Sequence, residues 1–391
     1  VKRRCLAVAV ATAISAAAGP VPAAATAPDA WGQAKSHATG DHYNPGETRL
    51  TPAVAGTLKP RWNVPLADAK CAYAAAPLVG ANRLVTAASY RIRTYDATTG
   101  AVAWETPATT KKTGYILSAI DGTRLIAQSR DCRSGKTFLA AHDVRTGQVI
   151  YRKRIPGTMY NTVVDKGIVA GGVWDETVSR YVVRAYRISD GVRVWERTGS
   201  ISGENIAAGG KVLVAGDTST TAVDMVTGKS AWPAATGCYT PIGASPDGAK
   251  FYMHCDPDGL IRTVSSATGA VLKTFPGHGS TYGFATDGER VYLHSFAGAM
   301  LAISADDGRT IWSAPFGEEA PIEFAIGGGV VYGFRDTSLP LAAFEARTGK
   351  PIPLDAGTKG LREAPMVANG RLYGRTASTV TVYAPSASPV R

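Results

Sequence analysis

The sequence predicts an all-β chain folded as an eight-bladed β-propeller of four-stranded antiparallel blades. Three observations lead there. Val, Thr, Tyr and Gly are plentiful beside the helix formers in a chain of 391 residues that is 45% hydrophobic, a composition that favours strands. The phrase "RTYDATTGAVAW", residues 93 to 104, returns with a period near forty. A second series of glycines keeps the same period, and two hairpin turns per forty-residue unit describe one propeller blade.

The chain opens on Lys2, Arg3 and Arg4, an apolar run from Leu6 to Ala18, and Ala23-Ala24-Ala25. That is the pattern of a secretory signal peptide over residues 1–25, cleaved after Ala25. Arg3-Arg4 leaves twin-arginine export open beside the general route. Cys5 precedes the apolar run and so does not sit where a lipoprotein's acylated cysteine would. Cleavage lowers the net charge from +11 to +8. The cations are scattered, which argues against a nucleic-acid partner and allows weak attraction to anionic wall polymers or lipid surfaces. Past the leader no stretch approaches the roughly eighteen apolar residues of a transmembrane segment. The expected location is secreted or extracytoplasmic, with residues 26–60 as a lead-in, 61–385 as the propeller and 386–391 as a tail.

Gly100, Gly147, Gly191, Gly228, Gly269, Gly308 and Gly349 each follow Thr or Asp and precede a strand-like run. Four residues earlier stand Asp96, Asp143, Arg187, Asp224, Ser265, Ser304 and Glu345. Four residues later stand Trp104, Tyr151, Trp195, Trp232, Lys273, Trp312 and Pro353. A short polar side chain accepts the turn's N–H bonds, the glycine takes a positive φ, and the aromatic packs back on a neighbouring sheet.

Inner turns follow at Gly80, Gly122, Gly167, Gly210, Gly248, Gly288, Gly329 and Gly370. Eight inner turns face only seven outer ones, because the last unit ends without its Trp strand. "LKPRWNVPL", with Trp62 in the setting of Trp104, supplies that strand from the other end. Pairing of Arg61–Leu66 with Thr379–Ala384 would close the ring and remove free sheet edges. Seven blades is the alternative count.

The units run close to V-Y-V…L-x-A-x-D-x-x-T-G-x-x-x-W, as in "LAAHDVRTGQVIY" and "TTAVDMVTGKSAW". This resembles the pyrroloquinoline quinone (PQQ) repeat family, the quinoprotein alcohol dehydrogenase-like propellers. The lead-in is similar too, with Trp31, Gly32, Asn44, Pro45, Leu50, Thr51, Leu58 and Trp62 in the family's order. The resemblance implies a secreted, actinobacterial-type member and covers residues 30 to 385. It does not imply activity, since non-enzymatic members, among them a propeller lipoprotein of outer-membrane protein assembly, share the repeat.

Family enzymes bind PQQ with Ca²⁺ or a lanthanide on the axis, against adjacent cysteines, a tryptophan floor and a Glu/Asn/Asp metal set. No two cysteines are adjacent here. Glu204 and Asn205 in "SGEN", with Trp174 and Asp175 in "GVWDE", offer the residue types, but a hard cation needs about six converging oxygens. His37, His42, His142, His254, His278 and His294 include no pair at ligand spacing. His278 with Tyr160, Tyr239 and Tyr282 would be the raw material of a hydrolase or lyase set. No nucleophile elbow or Walker loop occurs. No catalytic, cofactor-binding or metal residue is therefore assigned.

Four cysteines survive export, and an even number in an exported chain suggests two disulfides with three possible connectivities. Repeat register favours Cys71–Cys132 with Cys238–Cys255. The expectation is a monomeric, non-catalytic binding or scaffolding module without a cofactor, taking a protein, peptide or polysaccharide on its axial funnel or rim. Arg130–Thr137 and Val173–Tyr181 are the rim connections to inspect first. A PQQ- and Ca²⁺-dependent alcohol or sugar dehydrogenase is the alternative.

Overall fold

Glycine at the outer turn decides how neighbouring units meet. At Gly147 φ is +78°, and a β-carbon there would come within 2.7 Å of the Trp104 indole. The indole of one unit therefore lies flat on the turn of the next, where only glycine leaves room. The same contact joins Trp62 to Gly100, Tyr151 to Gly191, Trp195 to Gly228, Trp232 to Gly269 and Trp312 to Gly349. Four indoles also donate to a carbonyl three residues before the glycine: Trp104 to Val144, Trp195 to Met225, Trp232 to Ser266 and Trp312 to Ala346, at 2.8–3.0 Å.

A computed structural model describes residues 29–66, 76–88, 90–107, 113–202, 205–216, 220–233, 240–255, 259–276, 283–295, 297–317, 323–354 and 356–386. It forms an eight-bladed propeller of four-stranded antiparallel blades. Blade two is representative, with strands Thr113–Asp121, Arg124–Asp131, Thr137–Asp143 and Val149–Ile155. Blade eight takes Met366–Ala368, Arg371–Arg375 and Thr379–Pro385 from the C-terminal end and Leu58–Pro65 from the lead-in side. Trp62 pairs there with Val382, so hydrogen bonding between distant ends of the sequence closes the ring. Apolar clusters lie between blades: Val183, Ala185 and Trp195 of blade three pack with Val212, Val214 and Val223 of blade four.

Three features were not written in the spacing. Fourth strands carry a β-bulge one residue before the aromatic position, as at Ala103, Ile150, Val194, Ala231, Leu272, Ile311 and Arg61. A bulge re-aims the next side chain, turning the aromatic toward the neighbouring blade while Ile150, Leu272 and Ile311 stay exposed. In blade five the residue on Gly308 is Phe275, not Lys273; Phe275 is the next residue along the same face of the strand and supplies the apolar ring that Lys273 lacks. Blade seven has no regular outer strand: Pro351 makes an isolated bridge to Phe344, and Pro351 and Pro353 have no N–H to continue a ladder. Its fourth strand is Tyr43–Asn44, parallel to Glu323–Gly327 on the axial side.

Gly147→Ala and Gly122→Ala separate the two uses of glycine. Gly122 has φ +57° with nothing within 4 Å, so alanine there costs about 1 kcal/mol of backbone strain. At Gly147 the displaced indole adds about 1–3 kcal/mol. Thermal or urea unfolding should show the larger loss for Gly147→Ala, and equal losses would contradict the docking contact.

Candidate functional site

Inner strands of a propeller leave N–H and C=O groups facing the axis, and these need partners. The lead-in provides them, touching all eight blades in turn. Trp31 exchanges two backbone bonds with Val79 of blade one, at 2.8 and 2.9 Å. Gly32 accepts from Ile120 of blade two, and a β-carbon on Gly32 would sit 2.7 Å from that residue's carbonyl oxygen. Blade three is met by a side chain: the Gln33 amide donates to the Val164 carbonyl at 2.8 Å and accepts from its N–H at 3.0 Å. Ala38, Thr39, Asp41 and His42 carbonyls then accept from Ala207, Ala244, Thr286 and Ile326 of blades four to seven, at 2.7–3.0 Å. Asn44 finishes the circuit by donating to Val367 of blade eight at 2.8 Å. The lead-in curls this tightly through Ser36 and Gly40, with φ of +79° and +58°.

A cavity of about 700 Å³ opens between the lead-in and the inner turns of blades one to five and eight. Its wall carries Asp29, Asp41, Asp121, Asp165 and Asp247 against Lys166 and His37. Several carboxylates serve the scaffold: Asp165 accepts from the Lys166 and Gly210 N–H groups, and Asp29 from Asn44, Asn369 and Arg49. Asp41 is buried and bound by the Thr39 hydroxyl at 2.8 Å and the Tyr43 N–H at 3.0 Å. Desolvation outweighs those bonds and raises its pKa from 3.8 to about 7. Beside it, desolvation and the Lys35 charge lower His42 to about 3. His37, bonded to Ser36 and Tyr43, is also lowered by burial.

The turn acids named from the sequence sit in the outer turns. Asp96, Asp143 and Asp224 each accept two backbone N–H bonds at 2.8–3.1 Å, which lowers their pKa values. At the corresponding Arg187 the acid is instead Asp190, paired at 2.7 Å. Trp174 and Asp175 lie on the second-to-third strand hairpin of blade three, away from the axial cavity. Asp175 is held by Arg184 and by the Thr177 N–H at 2.9 Å, bonds that lower its pKa with Thr177 foremost. Asn205 is described, whereas Glu204, Tyr239, Tyr282 and His278 lie outside the described residues. His142 stacks on Trp104, and His294 bonds Gly317 at 2.7 Å. His254 and Tyr160 sit in strands of blades five and three.

Of the residues that suggested a dehydrogenase set, Asp175 is held by Arg184 at the blade-three hairpin. No group of three or more His, Cys, Asp or Glu suited to a metal occurs among the described residues. Among them, no helix is long and apolar enough to cross a membrane.

The two expected pairings, Cys71–Cys132 and Cys238–Cys255, each have one cysteine, Cys71 or Cys238, outside the described residues. Cys132, at the blade-two hairpin, and Cys255, at the end of a blade-five strand, are both in the disulfide-bonded state.

Sequence reasoning missed Gln33 and Asp41, whose roles come from threading the axis. The one signal was the order of Trp31, Gly32 and Asn44, which proves to be the order of blades one, two and eight.

Comparison with known proteins adds the family. The family model described as outer membrane protein assembly factor BamB matches residues 46–233 and 257–352. Among solved structures, BamB from Moraxella catarrhalis is 20% identical with a TM-score of 0.57, covering 85% of this chain and 99% of that one. The quinohemoprotein alcohol dehydrogenase from Comamonas testosteroni is 14% identical with a TM-score of 0.59, covering 95% and 83%. A europium-containing methanol dehydrogenase is 12% identical with a TM-score of 0.59, covering 91% and 98%. At these identities the likeness is one of fold. A search of the curated proteins finds no match.

The axial pair has a pH signature. Asp41, raised, makes the folded state bind the extra proton between about pH 4 and 7, so its contribution falls as pH rises through that window. His42, lowered, has the opposite sign between about pH 3 and 6.5. In the wild type the two oppose each other where the windows overlap. Asp41→Asn should therefore make thermal stability climb with pH between about 4 and 6.5 more steeply than in the wild type. Parallel melting-temperature profiles would contradict this placement of Asp41.

Proposed function

The chain belongs to the family described as outer membrane protein assembly factor BamB, and from that membership we propose that it is a non-catalytic, extracytoplasmic binding or scaffolding propeller. The observation that carries this is the circuit of the lead-in: the chain's own residues 31–44 take hydrogen-bonding positions on all eight inner strands. A rigid ring held in this way presents loops and a cavity without needing to move. The leader-like residues 1–25 and the BamB relative support an extracytoplasmic location. A protein, peptide or polysaccharide partner fits the cavity rim, whose carboxylates favour a ligand bearing hydrogen-bond donors or positive charge.

Calorimetric titration with PQQ, with and without Ca²⁺, tests this against the dehydrogenase alternative. The proposal expects no heat and no change in melting temperature. Metal-dependent binding at micromolar PQQ, with dye-linked oxidation of an alcohol, would overturn it.

A further inference from the structure

The face opposite the glycine turns carries two neighbouring hairpins of unlike chemistry. In blade three, strands Ile168–Asp175 and Arg180–Arg187 run on into a tip where Trp174 pairs directly with Tyr181. Their rings meet edge to face at 5.0 Å. Trp174 is 45% exposed, Val178 in the turn 49% and Tyr181 54%. These are the large apolar groups that a folded chain ordinarily covers. In blade two, the tip between Arg124–Asp131 and Thr137–Asp143 exposes Arg130, Arg133 and Lys136. Asp131, the acid of that turn, accepts from the Arg133 and Ser134 N–H groups. Among the described residues none of the three cations, nor Arg180 beside Tyr181, forms an ion pair.

Both hairpins rest on one connector. Thr158 bonds Thr137 at 3.0 Å, and Met159 exchanges two bonds with Gln128, at 2.9 and 3.0 Å, at the base of the blade-two hairpin. Two residues earlier the Pro156 carbonyl accepts from Arg184 at the base of the blade-three hairpin. Arg184, itself buried, also holds Asp175 and Glu196. The tips are therefore presented side by side on a fixed base.

We propose that the paired blade-two and blade-three hairpins dock on an anionic lipid surface, with Trp174, Val178 and Tyr181 entering the headgroup region and Arg130, Arg133, Lys136 and Arg180 lying on it. Charge complementarity selects the anionic surface, since each such cation contributes by attraction to acidic headgroups. Placement favours a lipid over a peptide: Trp174, Val178 and Tyr181 stand exposed at the tip of a hairpin, whereas recognition of a bound chain needs a concavity. Trp and Tyr, apolar with a polar edge, suit the interfacial layer. A hydrophilic polyanion would use the cations and leave the aromatic pair without a role.

Sedimentation with phosphatidylcholine vesicles, with and without phosphatidylglycerol, tests this. The protein should sediment with the phosphatidylglycerol vesicles and stay in solution with phosphatidylcholine alone, and added salt should weaken binding. The exposed tip substitution Val178→Asp, or Trp174→Ser with Tyr181→Ser, should reduce the partition about tenfold or more at unchanged melting temperature. Arg130→Gln with Arg133→Gln and Lys136→Gln should reduce it about a hundredfold. Failure of the unaltered protein to bind phosphatidylglycerol vesicles would overturn the proposal. Full binding by both tip variants would also overturn it and assign the surface to polyanions.

Discussion

Seven of the eight junctions of the ring depend on one close approach, an aromatic ring laid on a turn that has no side chain. The approach is possible because a bulge turns the ring out of its own sheet and because the receiving residue is glycine. Both halves of the contact lie in the same repeat, one to give and one to receive, so the contact propagates. Trp62, donated by the strand that completes blade eight, meets Gly100 of blade one and carries the series past the closure. Among the described residues its indole N–H finds no acceptor, unlike the four that bond carbonyls, so this contact, like those of Tyr151 on Gly191 and Phe275 on Gly308, is held by packing.

Closure at the perimeter leaves the axis to be satisfied. Eight inner strands converge there with polar backbone groups that neighbouring blades cannot reach. The lead-in answers one blade at a time, by backbone at most and by the amides of Gln33 and Asn44 where its own path turns away. Glu47 then accepts from Gly370 of blade eight and from its own Arg49 and Leu50, fixing the end of the path. Burying Asp41 and His42 in this path has an electrostatic consequence: one is held toward its neutral acid and the other is held neutral.

Period, turn chemistry and the uneven count of turns made the blades and their closure legible, because each repeat writes Asp, Gly and Trp at fixed offsets. Other parts depend on contacts between residues far apart in sequence. Phe275 takes the place of Lys273 on Gly308, two residues further along the same strand face. Gln33 acts as a peptide group toward a residue 131 positions away, and no local pattern marks such a role. Asp175 looked like a ligand by type, but Arg184, nine residues on across the hairpin, claims it. Residue type suggests chemistry, and only the neighbours decide whether it is free for it.

Hydrogen exchange at five backbone amides, those of Ile120, Ala207, Ala244, Thr286 and Ile326, tests the closed, threaded ring most directly. All five donate to the lead-in in five different blades. If the lead-in binds the blades as one unit, these amides exchange slowly and with a common protection that matches the interior ladders. Exchange at the rate of exposed loops, or protection that differs from blade to blade, would contradict it.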